Sequence, residues 1–259
     1  MSQHSVTRRT ALASAGVAAL ASTPTLAQTS GRKTFLLIHG AYHGGWCWRL
    51  VTDILERNGH KAYAPSLMGN GDRTHLLSND VNLATQISDI ANLVTWEDLK
   101  DVCLVAHSFG GWPASGALER IHDRVASIVW VDAFKPKNDE KAVDYVSEFS
   151  RKALEEAVAR GEPGRHPPPA KTYSINEKHY AWIDSKLTPQ PNGVAIQPIK
   201  LTGRLDGISK KTYVRAFGSG ADVCTFFCAD APVSVTSSRS GAPASRSLGR
   251  ARRSAEVRR

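Results

Sequence analysis

Short apolar runs recur along the first half of the chain: Lys33–Ile38 (KTFLLI), Lys61–Leu67, Val102–Ala106 and Val125–Val131 (VASIVWV). Bounded by polar or glycine-containing stretches, runs of this length read as buried strands. Between them the spacing changes. A Gly-rich loop, Ala41–Trp48 (AYHGGWCW), leads into a helix that reaches about Arg57 and is closed by Asn58-Gly59. A second helix is predicted from about Asn82 to Val94, where Leu83, Ile87, Ile90 and Val94 share one face. A third, Trp112–Ile121, follows the third strand. Strands that alternate with helices predict a parallel sheet with right-handed crossovers. From Lys137 to about Leu205 the alternation stops. Val143–Arg160 has helical spacing, Gly161–Ala170 (GEPGRHPPPA) predicts irregular chain, and Lys186–Pro198 carries three prolines. An insertion of this kind between sheet strands reads as a lid. Its Tyr173, Tyr180 and Trp182 either line an apolar pocket or serve only to pack the lid down. Lys210–Phe217 (KKTYVRAF) resumes the sheet.

The stretch Asp101–Gly111 (DVCLVAHSFGG) is where the chemistry concentrates. A buried strand, a serine at a sharp turn and then a helix is a nucleophile elbow. Strand and helix approach closely there, so the residues two before and two after the serine must be small. Ala106 and Gly110 flank Ser108 at those positions. In a hydrolase built on such an elbow, backbone N–H groups hold the developing oxyanion, one after the first strand and one after the nucleophile. Those positions are Ala41 and Phe109. His39 and His43 are assigned to loop architecture.

Charge and targeting alter this picture only at the ends. The formal net charge of +9 is uneven: residues 1–30 hold Arg8 and Arg9 and no acid, and residues 221–259 hold seven arginines against Asp222, Asp230 and Glu256. The middle is mildly basic, which reads as a solvated surface and not as a nucleic-acid partner. Thr7–Leu12 (TRRTAL), the small apolar run Ala13–Ala21 and Thr25–Ala27 read together as a twin-arginine signal peptide over residues 1–27. Export to the periplasm or medium is expected, with no stable membrane association afterwards. No stretch approaches the ~20 apolar residues of a membrane span. The four cysteines, Cys47, Cys103, Cys224 and Cys228, predict neither a disulfide nor a metal site.

HGAYHGGWCW, AHSFGG, GDRTHLLS, VDAFKP and KTYVRAF together resemble α/β-hydrolases, and within them the branch of plant methyl-ester esterases, hydroxynitrile lyases and bacterial salicylate-esterase-like proteins. The resemblance covers about Lys33–Gly218. It implies an α/β-hydrolase domain over residues 31–218, a mostly parallel sheet with a helical lid insertion over about 137–205. It also implies a small, often aromatic, carboxylic ester as substrate, no cofactor, and an acyl-enzyme. The lyases of this group typically carry Thr where this chain has Gly40, which favours the esterase. A lyase of the same fold, or a binding protein without turnover, is the alternative. The family's triad runs serine, acid, histidine. Ser108 matches the first. Asp132, at the end of the Val125–Val131 strand, is either the acid or a turn cap; Asp206 and Asp222 are poorer matches.

The family's histidine follows the last strand, yet no histidine follows His179. Residues 219–259 are rich in Ser, Ala, Gly and Arg, contain no Lys, and show neither strand alternation nor helical periodicity. The C-terminal strand and helix of the fold are therefore expected to be missing, with the tail either disordered or read in a shifted frame and the ester chemistry weakened. The frame hypothesis makes a prediction: another frame of the gene beyond codon 218 encodes a strand, a histidine loop and a final helix. Sequencing the gene across that point checks it, and a gene with no such frame rules the idea out.

Overall fold

The computed structural model describes residues 31–173, 175–216 and 233–239. The proposed signal peptide, Cys224, Cys228 and most of the atypical tail lie outside them. Along the chain run β1 (Thr34–Ile38), α1 (Arg49–Arg57), β2 (Lys61–Tyr63), α2 (Leu83–Trp96), β3 (Val102–His107), α3 (Gly111–Ile121) and β4 (Val125–Val131). The insertion holds α4 (Glu148–Ala159), β5 (Gly164–Arg165), α5 (Tyr180–Asp184), β6 (Gln190–Pro191) and α6 (Asn192–Ile196). The sheet then resumes with β7 (Lys210–Ala216) and β8 (Val233–Arg239).

The main sheet has the order β2-β1-β3-β4-β7-β8, parallel except for β8. This is the architecture the resemblance implies. The registers Ile38↔Ala106, His107↔Val131 and Val131↔Val214 bring the carboxyl ends of β1, β3, β4 and β7 to one edge. In an open parallel sheet that edge is where ligands bind, so the loop after β1, Ser108 and Asp132 start out close together.

Burial on both faces explains the apolar runs. On one face Leu36, Ile38, Leu104, Ala106, Ile128 and Trp130 pack against Ile90 and Val94 of α2 and Ala114, Ala117, Leu118 and Ile121 of α3. On the other, Leu37 and Val105 meet Cys47 and Trp48, with Val51 and Leu55 of α1 packed beside them. α2 starts where its pattern predicts, held by a reciprocal cap. Asn82 Oδ1 accepts from Thr85 N–H at 3.1 Å, and Thr85 Oγ1 accepts from Asn82 N–H at 3.0 Å.

Three elements differ from expectation. β2 stops at Tyr63, short of Leu67, because Pro65 has no N–H to continue the ladder. The proline-rich Gly161–Ala170 stretch is not wholly irregular: Gly164–Arg165 pairs antiparallel with Gln190–Pro191. The tail, expected to contribute no strand, supplies β8, which pairs with β7 from Lys210↔Arg239 to Ala216↔Val233. An open sheet edge needs only an extended partner, and the V-S-V-T run provides β-branched residues suited to that backbone.

α3 packs so closely that Gly111 has no room for a side chain. A Cβ there would lie 1.9 Å from the Phe134 carbonyl oxygen, whereas one at Gly207 would meet nothing within 4 Å. Gly111→Ala is expected to lower unfolding stability by about 1–3 kcal/mol, and Gly207→Ala to change it little. Urea denaturation compares them; equal midpoints for the two variants would contradict the packing described.

Candidate active site

Ser108 follows β3 directly and has φ +48°, in the left-handed region that a side-chain-bearing residue occupies only under constraint. The constraint is visible on both sides. A Cβ on Gly110 would sit 2.4 Å from the His39 carbonyl oxygen, so the helix start lies directly on the end of β1. Phe134 N–H donates to the Ser108 carbonyl oxygen at 3.1 Å, which ties the turn to the chain leaving β4. Gly40 closes the third side: a Cβ there would be 3.0 Å from Ser108 Cβ.

Ser108 lines a cavity of about 520 Å³ at the carboxyl edge of the sheet. Gly40, Ala41, Tyr42, His43 and His107 form its base, and the insertion supplies Phe149, Pro168, Thr172, Tyr173, Ile175 and Ile183. Ala41 thus lines the same cavity as Ser108, while the Phe109 side chain is buried in the cluster of Trp112 and Val194, leaving its backbone in the turn. The loop bearing Ala41 is held from the insertion. Tyr42, at φ +66°, donates its N–H to Gln190 Oε1 at 3.0 Å and accepts from Thr188 N–H at 3.0 Å. Gln190 Oε1 also accepts from Asn70, whose Oδ1 accepts from Gln86, so three buried amides join insertion, loop and α2. The GDRTHLLS segment is anchored likewise, by Arg73 paired with Asp89 of α2 at 2.9 Å.

Three imidazoles surround this base. His39 donates from Nδ1 to the Gly40 carbonyl at 2.8 Å and accepts Leu67 N–H on Nε2 at 3.0 Å, so both nitrogens are committed to the loops. Burial lowers its pKa to about 4. His43 donates from Nδ1 to the Ala41 carbonyl at 2.7 Å, stacks on Trp46 with ring centres 5.2 Å apart, and is also held neutral by burial. His107, fully interior, is pushed far below the ordinary histidine range by burial first and then by His43 and His39. Of the other histidines upstream of the tail, His75 is exposed and bonded to the Asp72 carbonyl, and His179 lines a separate cavity.

Asp132 stands at the end of β4 with φ +45°, and its N–H donates to the Val214 carbonyl at 2.7 Å. Burial raises its pKa and Arg215 opposes the rise. It does not line the cavity. Among the aromatics, Tyr173 lines the cavity, but Tyr180 and Trp182 do not. On α5 the helical repeat sends neighbours to different faces. Ile183 takes the cavity-facing place, Tyr180 packs near Ala170 and Ile175, and Trp182 turns to the second cavity. Phe149, Thr172 and Ile175 were not foreseen as lining residues, and Gln190, between two prolines, gave no signal of its link to Tyr42.

Comparison with known proteins agrees with this fold. Residues 35–247 match the Alpha/beta hydrolase family. A carbendazim hydrolyzing esterase of Nocardioides sp. (strain SG-4G) is 30% identical over 197 residues, 71% of this chain and 80% of that one. Methylesterase 2 of Arabidopsis thaliana is 34% identical over 113 residues, 43% of each chain. Among solved structures, an extracellular alpha/beta-hydrolase from a Paenibacillus species is similar at 25% identity and a TM-score of 0.64, covering 71% of this chain and 77% of that one. It is described as sharing structural and functional homology with Tobacco Salicylic Acid Binding Protein 2.

The buried imidazoles set a pH dependence. A histidine whose folded-state pKa lies below its ordinary value takes up its proton first in the unfolded chain, so its contribution to stability is present above about pH 6.5 and is lost as pH falls toward about 4. His39 alone is expected to remove about 3 kcal/mol across that window, with His43 and His107 acting in the same direction. Urea unfolding at pH 7.5 and 4.5 measures it, against His39→Gln as the control with the shallower slope. Identical slopes would exclude His39 as a source.

Proposed function

We propose that this chain, which belongs to the α/β-hydrolase family, cleaves small carboxylic esters with Ser108 as its nucleophile. By family it is a carboxylic ester hydrolase. The observation that carries the assignment of Ser108 is its left-handed backbone at the end of a buried strand, opening into a cavity it shares with Ala41.

The chemistry follows from that placement. Ser108 Oγ attacks the ester carbonyl carbon, and the carbonyl oxygen takes up negative charge opposite the N–H groups of Ala41 and Phe109. The tetrahedral species collapses as the bond to the alcohol oxygen breaks and that oxygen takes up the proton Ser108 gave away. Water then adds to the acyl-serine, releasing the carboxylic acid and returning a proton to Ser108 Oγ. Tyr173, Phe149, Ile175 and Ile183 give the cavity an apolar and partly aromatic wall, which suits a small aryl or aryl-acyl ester. Such an ester is also consistent with the stated kinship of the Paenibacillus hydrolase to a salicylic acid binding protein. Gly40 favours hydrolysis over the lyase reaction of similar folds. A larger residue there would meet Ser108 Cβ at 3.0 Å and the His107 ring at 3.1 Å.

A serine hydroxyl needs a base. Residues 180–259 contain no histidine, His39 has both ring nitrogens occupied, and His75 and His179 do not line the cavity. Of the histidines that could stand in as base, His43 does line it, with Nδ1 already bonded to the Ala41 carbonyl. We therefore read this chain as a slow form of its family, with Asp132 the candidate acid of a triad whose histidine is missing from the usual place. Removal of a triad base costs on the order of 10⁶ in turnover. The test is an aryl-acetate assay of this chain beside one whose C-terminus is restored in frame. The restored form is expected to turn over at least ~10³ faster, and Ser108→Ala to abolish its activity. Equal rates would overturn the slow-form reading, and activity surviving Ser108→Ala would overturn the nucleophile.

A further inference from the structure

A second cavity, of about 240 Å³, lies next to the first, the two sharing Ile183. Trp46, Arg49, Leu50, His179, Trp182 and Ile183 line it. The Trp46 and Trp182 rings meet edge to face at 90° with centres 5.2 Å apart, so together they wall one corner of the cavity with aromatic surface against which a single ring can pack. Leu50 and Trp182, at 70% and 38% exposure, leave it open to solvent. At its rim is Arg49, the first residue of α1. Among the described residues its guanidinium has no ion-pair partner, and Asp53, one turn further along α1, does not pair with it.

The two cavities differ in charge. No Lys, Arg, Asp or Glu lines the first, and its histidines are held neutral. An uncharged ester enters such a space at little electrostatic cost, whereas a carboxylate would be desolvated there without a counter-ion. The second cavity offers aromatic faces and a guanidinium without an ion-pair partner among the described residues, the pairing that recognises a ring bearing a carboxylate. We propose that this second cavity binds a monocyclic aromatic carboxylate.

The sites are joined through one stack. Trp46 meets Trp182 in the second cavity and lies against His43, which lines the first, at 5.2 Å and 23°. Ile183 lines both. If the chain hydrolyses aryl-acyl esters, as proposed above, the ligand of the second cavity belongs to the class of its acid product, and product held there presses on the wall of the reaction cavity. That link rests on the ester-hydrolase reading; the binding itself does not.

The test uses benzoate titrated into the full chain, followed by indole fluorescence. Saturable quenching is expected, weakened at least tenfold by Arg49→Gln and by Trp182→Ala, and unchanged by Thr172→Trp, which fills the first cavity, or by Ser108→Ala. Methyl benzoate, which lacks the charge, is expected to be insensitive to Arg49→Gln. The proposal is overturned if Arg49→Gln leaves benzoate affinity within twofold, if Thr172→Trp abolishes the signal, or if no saturation is reached by about 10 mM. Because Arg49 and Trp182 are surface positions, their replacement does not empty the core. Benzoate binding that persists in a chain without ester turnover would separate this site from the fate of the hydrolase reading.

Discussion

The structure depends on a point of close approach in which three backbone segments converge around one serine. Gly110 lies against the His39 carbonyl, Gly111 against the Phe134 carbonyl, and Gly40 against Ser108 itself. Side chains at any of these positions would push the strand ends apart. Holding a non-glycine residue at φ +48° costs on the order of 1–3 kcal/mol, and it persists because the surroundings allow no alternative. The helix that follows is buried along nearly its whole length, and Phe134 N–H is bonded to the Ser108 carbonyl. The sheet core and the exposed hydroxyl are thus two results of the same packing: relaxing the turn would require lifting α3 off β1 and β4.

The loop that carries Ala41 is supported differently. It has no regular structure of its own, and Tyr42 also sits at positive φ. Its shape is imposed by the insertion, through Gln190 and Thr188, and through Asn70 and Gln86 behind them. These amides are buried, so each broken bond would leave a donor or acceptor without water, at about 1–3 kcal/mol apiece. The insertion therefore does more than cover the cavity. It fixes the backbone beside Ala41, the position proposed to receive the oxyanion, so displacement of β6 would alter both the roof of the cavity and its floor.

Much of this was readable from the chain. Buried runs marked the strands, Asn82 marked the start of α2, and the small residues around Ser108 marked the elbow, because each rests on local chemistry or on a period of the backbone. What was not readable depends on contacts distant in sequence. Lys61–Leu67 was long enough and apolar enough for a full strand, but Pro65 ends its ladder. Tyr180 and Trp182 had the right chemistry for the first cavity, but one turn of helix points them elsewhere, and Phe149 and Thr172 face it instead. Backbone pairing, which depends little on side-chain pattern, placed β8 on a stretch without evident alternation. Asp132 reached the expected sheet edge, since a strand end is a local property, but the cavity wall is assembled by the insertion and passes it by.

The electrostatics of the base follow from burial. Packing three histidines beneath one cavity is tolerable only if they are uncharged, and desolvation ensures that. A floor of neutral imidazoles offers no fixed positive charge, so in the mechanism proposed above the oxyanion is left to oriented backbone N–H groups, whose dipoles need no counter-charge and no reorganisation. On the same proposal this floor disfavours the carboxylate formed when water cleaves the acyl-serine. With no Lys or Arg lining the first cavity and, among the described residues, no ion-pair partner for Arg49 at the second, the charge distribution fits the proposed separation of an uncharged reactant from an anionic product, across a boundary to which His43, Trp46 and Ile183 all belong.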